Sequence, residues 1–247
     1  MELHVYEHSA ELNREAAEQI IRQIHIKPNS FLGLATGGTP LGVYEILVRA
    51  FQKGEVSFRS VITMNLDEYV GLGQDHPQSY AFYMKTNLFQ HIDLPKAHAF
   101  IPSGTAADLA QECTHYDEIF RRYQPIDLQL LGIGINGHIG FNEPGKQLIG
   151  ATHTVALDDS TRSANARFFG SLEKVPKQAI TMGIGMILKA RKIVLLVAGE
   201  QKAEILQEAF EGPITTECPA SLLQTHPNVI VMADREAAKL LQKRLIG

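Results

Sequence analysis

The sequence predicts an α/β fold: a mostly parallel sheet with helices on both of its faces. Three observations predict it. Short apolar runs that read as buried strands alternate along the chain with amphipathic stretches of helical period. The strand-like runs end in Gly-rich or polar loops that open the next helix. No Pro-, Gly- or Ser-rich linker divides the 247 residues and no internal repeat is visible, so a single domain over 1–247 is expected.

The elements follow in order. Residues 9–26 carry Leu12, Ala16, Ile20, Ile21 and Ile24 near helical spacing. Residues 31–35 form a short apolar run, closed by Thr36-Gly37-Gly38-Thr39-Pro40. Pro40 suits the first turn of a helix that continues over 41–51. Residues 61–66 read as a buried strand, 78–91 as a helix, 97–101 as a weak strand and 108–123 as a helix. The run 126–131 is a strand leading into Gly132-Ile133-Gly134. Residues 151–157 are β-branched and strand-like, whereas 159–169 and 182–190 look helical. A strongly apolar strand over 192–198 precedes a helix over 200–210. The last strand is 229–233, and Asp234 caps a final helix reaching 245.

Composition narrows the function. The apolar share of 45% allows a large core. Lys plus Arg is 23 and Asp plus Glu is 27, a net charge of −4, which argues against nucleic acid as a partner. Cys113 and Cys218 form no metal or redox motif and read as reduced thiols. The start Met1-Glu2-Leu3-His4-Val5 lacks the pattern of a signal peptide, and the apolar runs are too short to cross a bilayer. The expectation is a cytoplasmic protein with no membrane partner.

In a parallel sheet, ligands bind outside the carboxyl ends of the strands, so the loops there are the candidates. In Thr36-Gly37-Gly38-Thr39, two glycines let backbone N–H groups approach an anion, and a helix N-terminus follows. The residues suit a phosphate cradle and equally a plain strand-to-helix turn. No Walker pattern occurs, which argues against ATP or GTP. Asp67 and Glu68 stand at the end of the next strand, as a general base or as an acidic turn. Gly132, Gly134 and Gly137 match a dinucleotide spacing, but Gly140 and Pro144-Gly145 would break the helix that motif requires. The same loop presents Asn136, His138 and Glu143: an imidazole that titrates near neutrality, with groups able to orient it. Arg162 and Arg167 lie on a helix without sharing a face. Lys202 falls in a first helical turn, where a cation is misplaced unless an anion is near. The histidines show no metal spacing, and no catalytic metal is expected.

Taken together, the segments Ala35-Thr36-Gly37-Gly38-Thr39-Pro40, Leu66-Asp67-Glu68-Tyr69-Val70-Gly71-Leu72, 134–144, 160–169 and Gly199-Glu200-Gln201-Lys202 resemble the glucosamine-6-phosphate deaminase family, also called glucosamine-6-phosphate isomerase. The resemblance spans nearly the whole chain. It implies a Rossmann-like sheet, no cofactor, and a hydrolase of amino-sugar catabolism that turns glucosamine 6-phosphate into fructose 6-phosphate and ammonia. It implies Asp67 as the base at C2, at an ordinary carboxylate pKa near ~4. It also implies His138 as the group that opens the ring, with Glu143 and Asn136 in support, and Thr36, Gly37, Gly38, Thr39, Arg167 and Lys202 around the phosphate.

Two departures from the family pattern carry expectations. Position 136 is Asn where other members have Asp. The segment 145–153 lacks the basic and hydroxyl-bearing set of allosteric members, so activation by N-acetylglucosamine 6-phosphate is expected to be absent and a monomer becomes possible beside a homo-oligomer. A lid is expected near 145–175. The alternatives are a 6-phosphogluconolactonase-like hydrolase and a sugar-phosphate sensor without turnover.

Overall fold

The computed structural model describes residues 1–242. The chain runs through strand β1 (Glu2–Tyr6), helix α1 (Ser9–Ile26), β2 (Phe31–Leu34), α2 (Leu41–Gln52), β3 (Ile62–Asn65), β4 (Asp67–Tyr69), α3 (Tyr80–Asn87), β5 (Ala99–Phe100), α4 (Leu109–Tyr123) and β6 (Leu128–Gly132). It continues through β7 (His153–Ala156), α5 (Asp159–Phe169), β8 (Gln178–Thr181), α6 (Ile184–Ile187), β9 (Ile193–Val197), α7 (Ala203–Glu211), β10 (Val229–Asp234) and α8 (Arg235–Ala238).

Seven strands form one sheet in the order β1-β10-β9-β6-β2-β3-β5, and every pairing in it is parallel. Period-two alternation sends successive side chains to opposite faces. In β9, Ile193, Leu195 and Val197 join the core on the α4 and α7 side, with Tyr116, Phe120, Leu206 and Phe210. Val194 and Leu196 join the core under α1 and α2, with Leu12, Ile20 and Leu47. The expected doubly covered parallel sheet is therefore present.

The strand order also fixes where ligands can enter. From β2 the chain builds outward through β3 and β5; from β6 it builds the other way through β9, β10 and back to β1. β2 and β6 are neighbours at this reversal, and the loops leaving their carboxyl ends must diverge and open a crevice. Those loops are 35–40 and 133–152.

Several expectations need correction. β1 carried no apolar run because only Leu3 of its residues is buried; it survives as an edge strand by pairing with β10. Asp67-Glu68-Tyr69 was expected as a loop and is a strand. It pairs with β8 in a second, antiparallel sheet of order β4-β8-β7, with Asp67 opposite Thr181. Residues 151–157, expected in the parallel sheet, supply β7 to this small sheet instead. The helix expected over 182–190 shrinks to α6, because Met182 still extends the strand by donating its N–H to Leu66 O. The helix expected over 78–91 ends at Leu88, whose backbone leaves helical geometry before a separate 3-10 turn at Phe89–His91. α8 stops at Ala238, and residues 243–245 of the expected helix lie outside the described residues.

Candidate active site

A cleft of about 530 Å³ opens at the crevice between the β2 and β6 loops. Of the expected site residues, Thr36, Gly37, Gly38, Thr39, Asp67, His138, Arg167 and Lys202 line it. Asn136 and Glu143 do not line it; they stand behind the His138 ring and bond to its far edge.

The turn after β2 is held by hydroxyls from two helices. Tyr44 of α2 donates to Ala35 O, and Tyr83 of α3 donates to Gly37 O at 2.7 Å. The carbonyls are thus bound from behind. Among the described residues, no acceptor takes the N–H of Gly37, Gly38 or Thr39. Gly37 adopts φ +106°, where a side chain would be strained. Free amides beside the start of α2 make an anion-binding concavity.

Asp67 and Glu68 divide their roles by strand alternation. Glu68 turns away from the cleft. Its carboxylate accepts from Tyr69 N at 2.8 Å, Tyr80 N at 2.9 Å and Ala81 N at 2.8 Å, which caps the first turn of α3. Burial pushes Glu68 up to about 6 against those three donors. Asp67 faces the cleft. Burial, and then the charge of Glu68, hold its carboxyl well above the ordinary range, so the ordinary pKa expected for it does not hold. A carboxylate with a raised pKa is the stronger base.

Gly140 lines the cleft beside Asp67. A Cβ there would lie 3.5 Å from Asp67 Oδ2, in ordinary contact, and a tighter 3.1 Å from Thr181 Oγ1, and Gly140 sits at φ +58°. The Gly-rich loop that mimicked a dinucleotide motif contains no helix before α5, so that motif is not formed.

His138 is gripped on one edge. Its Nδ1 lies 2.7 Å from Asn136 Oδ1, 3.2 Å from Thr161 Oγ1 and 3.5 Å from Glu143 Oε2. Asn136 donates its amide N–H to Glu143 Oε2 at 2.8 Å. A carboxylate accepts only, which sets the amide with its oxygen toward His138 and makes Nδ1–H the donor. Nε2 is then the ring nitrogen left for a ligand. Burial alone would raise Glu143, but hydrogen bonds from His138 and Asn136 outweigh it and hold the carboxyl below its ordinary value.

The two expected cations differ. Lys202 lies in a 3-10 turn, Glu200–Lys202, ahead of α7 rather than in the helix itself. Its ammonium donates to Ile133 O at 2.7 Å, and burial, then the charge of Arg167, pushes it down to about 8. Arg167 is exposed on α5 and lies over the Phe168 ring at 4.7 Å. Arg162 leaves the site altogether: its guanidinium donates to Leu172 O at 3.1 Å and ties down the end of α5. Among the described residues, no group of three His, Cys, Asp or Glu side chains is arranged to hold a metal ion, and no helix is long and apolar enough to cross a membrane.

The family model described as glucosamine-6-phosphate isomerases/6-phosphogluconolactonase matches residues 6–232. The chain belongs to this family. Within it, the glucosamine-6-phosphate deaminase of Thermoanaerobacter pseudethanolicus is 52% identical over 231 residues, covering 94% of this chain and 91% of the relative. That of Clostridium perfringens is 50% identical over 242 residues, covering 98% and 100%. A solved structure of a monomeric glucosamine-6-phosphate deaminase superposes with a TM-score of 0.95 at 48% identity, covering 98% of this chain and 100% of the other. The relatives' names speak of deamination and the family's of isomerisation, so the expected label of hydrolase is set aside.

Sequence reasoning missed Thr161 and Gly140 as parts of the site. Gly140 entered only as a helix breaker. Thr161 lay inside a segment noted for its arginines, yet it is the buried residue of α5. An isolated hydroxyl in the first turn of a polar helix gives no periodic signal.

Proposed function

We propose that this chain converts D-glucosamine 6-phosphate and water into D-fructose 6-phosphate and ammonia by aldose–ketose isomerisation with deamination. The observation that carries it is the placing of the Asp67 carboxylate and the His138 imidazole on one cleft with the amides of 36–39, Arg167 and Lys202. A lactonase needs no base at a carbon acid, and the relatives sharing half of this sequence are named deaminases.

The chemistry follows from the geometry. The phosphate dianion sits on the amides of Gly37, Gly38 and Thr39 and draws in Lys202 and Arg167. His138 Nε2 takes the proton of the anomeric hydroxyl and returns a proton to the ring oxygen, so the pyranose opens to the aldehyde. Glu143, through Asn136, stabilises the imidazolium that forms between these two transfers. The aldehyde acidifies the C2 proton, and Asp67 removes it while the aldehyde oxygen takes up a proton from the substrate's ammonium group, giving an enolamine. Asp67 then delivers that proton to C1, leaving a ketimine at C2. Water adds to C2, ammonia departs, and the ketone remains. Positioned acid–base groups of this kind contribute about 10²–10⁴-fold each.

The segment 145–175, which carries α5 with Arg167 and Phe168, acts as the lid of this cleft. The enzyme works as a cytoplasmic monomer, in keeping with the monomeric deaminase it resembles. Incubation with glucosamine 6-phosphate is expected to release ammonia and fructose 6-phosphate in equal amounts. Binding without release of either product would overturn the assignment in favour of a sensor, and hydrolysis of 6-phosphogluconolactone in its place would turn it to the lactonase.

A further inference from the structure

His138 and Glu143 are served by loop residues of their own segment, but one contact reaches them from another element. Thr161 of α5 is buried, and its Oγ1 lies 3.2 Å from His138 Nδ1. We propose that Thr161 is a positioning residue of the acid–base group: its hydroxyl, brought by α5, bonds to Glu143 and fixes the carboxylate and the Nδ1 edge of His138 in register. This rests on the function proposed above.

A hydrogen count supports it. Nδ1–H is committed to Asn136 Oδ1 at 2.7 Å, so Nδ1 has no lone pair to offer the Thr161 hydroxyl proton. Glu143 Oε2 already accepts from Asn136, whereas Glu143 Oε1 is buried with no hydrogen-bond partner among the described residues. A buried carboxylate oxygen without a donor is costly, and the Thr161 hydroxyl is the donor at hand. The neighbouring Thr161 hydroxyl is among the influences that hold the Glu143 carboxyl below its ordinary value. Ser160 of the same turn meets Asn136 Nδ2 at 3.4 Å, so α5 touches the group twice.

The placement has a consequence. α5 also carries Arg167, about 9 Å further along the helix axis. An anion that holds Arg167 holds the same rigid element that seats Thr161, so phosphate capture and the acid–base group are joined by one helix.

Other charged groups surround the pair and bear on any pH readout. Asp158, the cap of α5, feels the charge of His138. From the cleft side come Asp67, Arg167 and Lys202. None of these changes when the Thr161 hydroxyl is removed.

The test compares Thr161→Val, which keeps the shape, with Thr161→Ser, which keeps the hydroxyl. Thr161→Val is expected to lower kcat by about tenfold with KM within about twofold, the loss of one hydrogen bond to a charged group. The Glu143 carboxyl itself, followed by carbon-13 NMR, should titrate at higher pH in Thr161→Val because it loses a donor to its ionised form, while the acid limb of kcat, set by Asp67, stays in place. Thr161→Ser should restore kcat and the Glu143 titration. Nitrogen-15 spectra of the imidazole give a readout that needs no turnover: His138 should be the Nδ1–H tautomer in the wild type and a mixture in Thr161→Val. Equal losses in both variants, or an unchanged Glu143 titration and imidazole spectrum in Thr161→Val, would overturn the proposal. A wild type that binds but does not turn over would remove the reaction and leave the spectra to decide Thr161.

Discussion

The two ends of the cleft are built on opposite plans. At the acid–base end every group is a side chain clamped by other side chains: His138 by Asn136, Glu143 and Thr161, and Asp67 in a pocket shared with Glu68. At the anion end the fixed part is backbone, the amides of Gly37, Gly38 and Thr39, and one of its two cations is exposed to solvent. The difference matches what the proposed reaction asks of each end. Proton transfer tolerates little misplacement, so its groups are buried and their pKa values are displaced by the surroundings. Holding a dianion is a Coulombic task spread over several donors, and it tolerates exchange with water. Substitutions at the first end should therefore strike kcat, and at the second KM.

The largest effect should come at the acid–base end. Asp67→Asn keeps the shape but cannot take a proton at neutral pH, so kcat should fall by about 10²–10⁴-fold with KM little changed. Loss of the C2 hydrogen to deuterated solvent is the direct measurement, and exchange at the wild-type rate in this variant would remove Asp67 from the mechanism. The wild-type acid limb should lie above the ordinary carboxylate range, because a base held high by burial is lost by protonation as pH falls through that raised value.

At the anion end the half-buried cation should matter more than the exposed one. Lys202→Met removes a charged donor from a desolvated site, and KM should rise roughly 10–100-fold while kcat at saturation changes little. Lys202 titrates from about 8, so in the free protein it loses its charge as pH rises past that value. A bound dianion favours the charged form. Binding of inorganic phosphate should then take up a proton near pH 8 and weaken above it, and calorimetry in two buffers of different ionisation enthalpy measures this. A Lys202→Met protein that shows the same proton uptake would assign the titration to another group.

The same contrast explains how much was legible in the sequence. The turn 36–40 could be marked as a candidate because its device is local: two glycines after an apolar run and a proline opening a helix. Asp67 and His138 could be marked as chemical candidates, one at the end of an apolar strand and one in the loop that follows another, and the family motifs named them together. What the sequence hid was anything made by distant pairing. β4 was invisible because Asp67-Glu68-Tyr69 has no apolar alternation of its own and becomes a strand only against β8, more than a hundred residues later. The separate roles of Asp67 and Glu68 depend on that pairing, since strand alternation is what turns one inward and the other onto α3. Thr161 was hidden for the same reason: its partner is a loop on another element.

Arg167 gives the smallest effect and the finest test of the contrast. It shares the anion end with Lys202, yet it is solvated and lies over Phe168 rather than beneath the loop. A solvated cation gains only about 0.2–1 kcal/mol from an ion pair, so Arg167→Ala should raise KM by roughly fivefold at most. The effect should shrink in about 0.5 M salt, where the screening length falls to a few ångströms, while that of Lys202→Met should shrink less because a half-buried ammonium is screened less than a solvated one. Measuring KM for both variants across salt concentration separates the two cations. If Arg167→Ala instead matched Lys202→Met in size and resisted salt, Arg167 would have to be buried in the complex, and closure of α5 over the phosphate would be the cause.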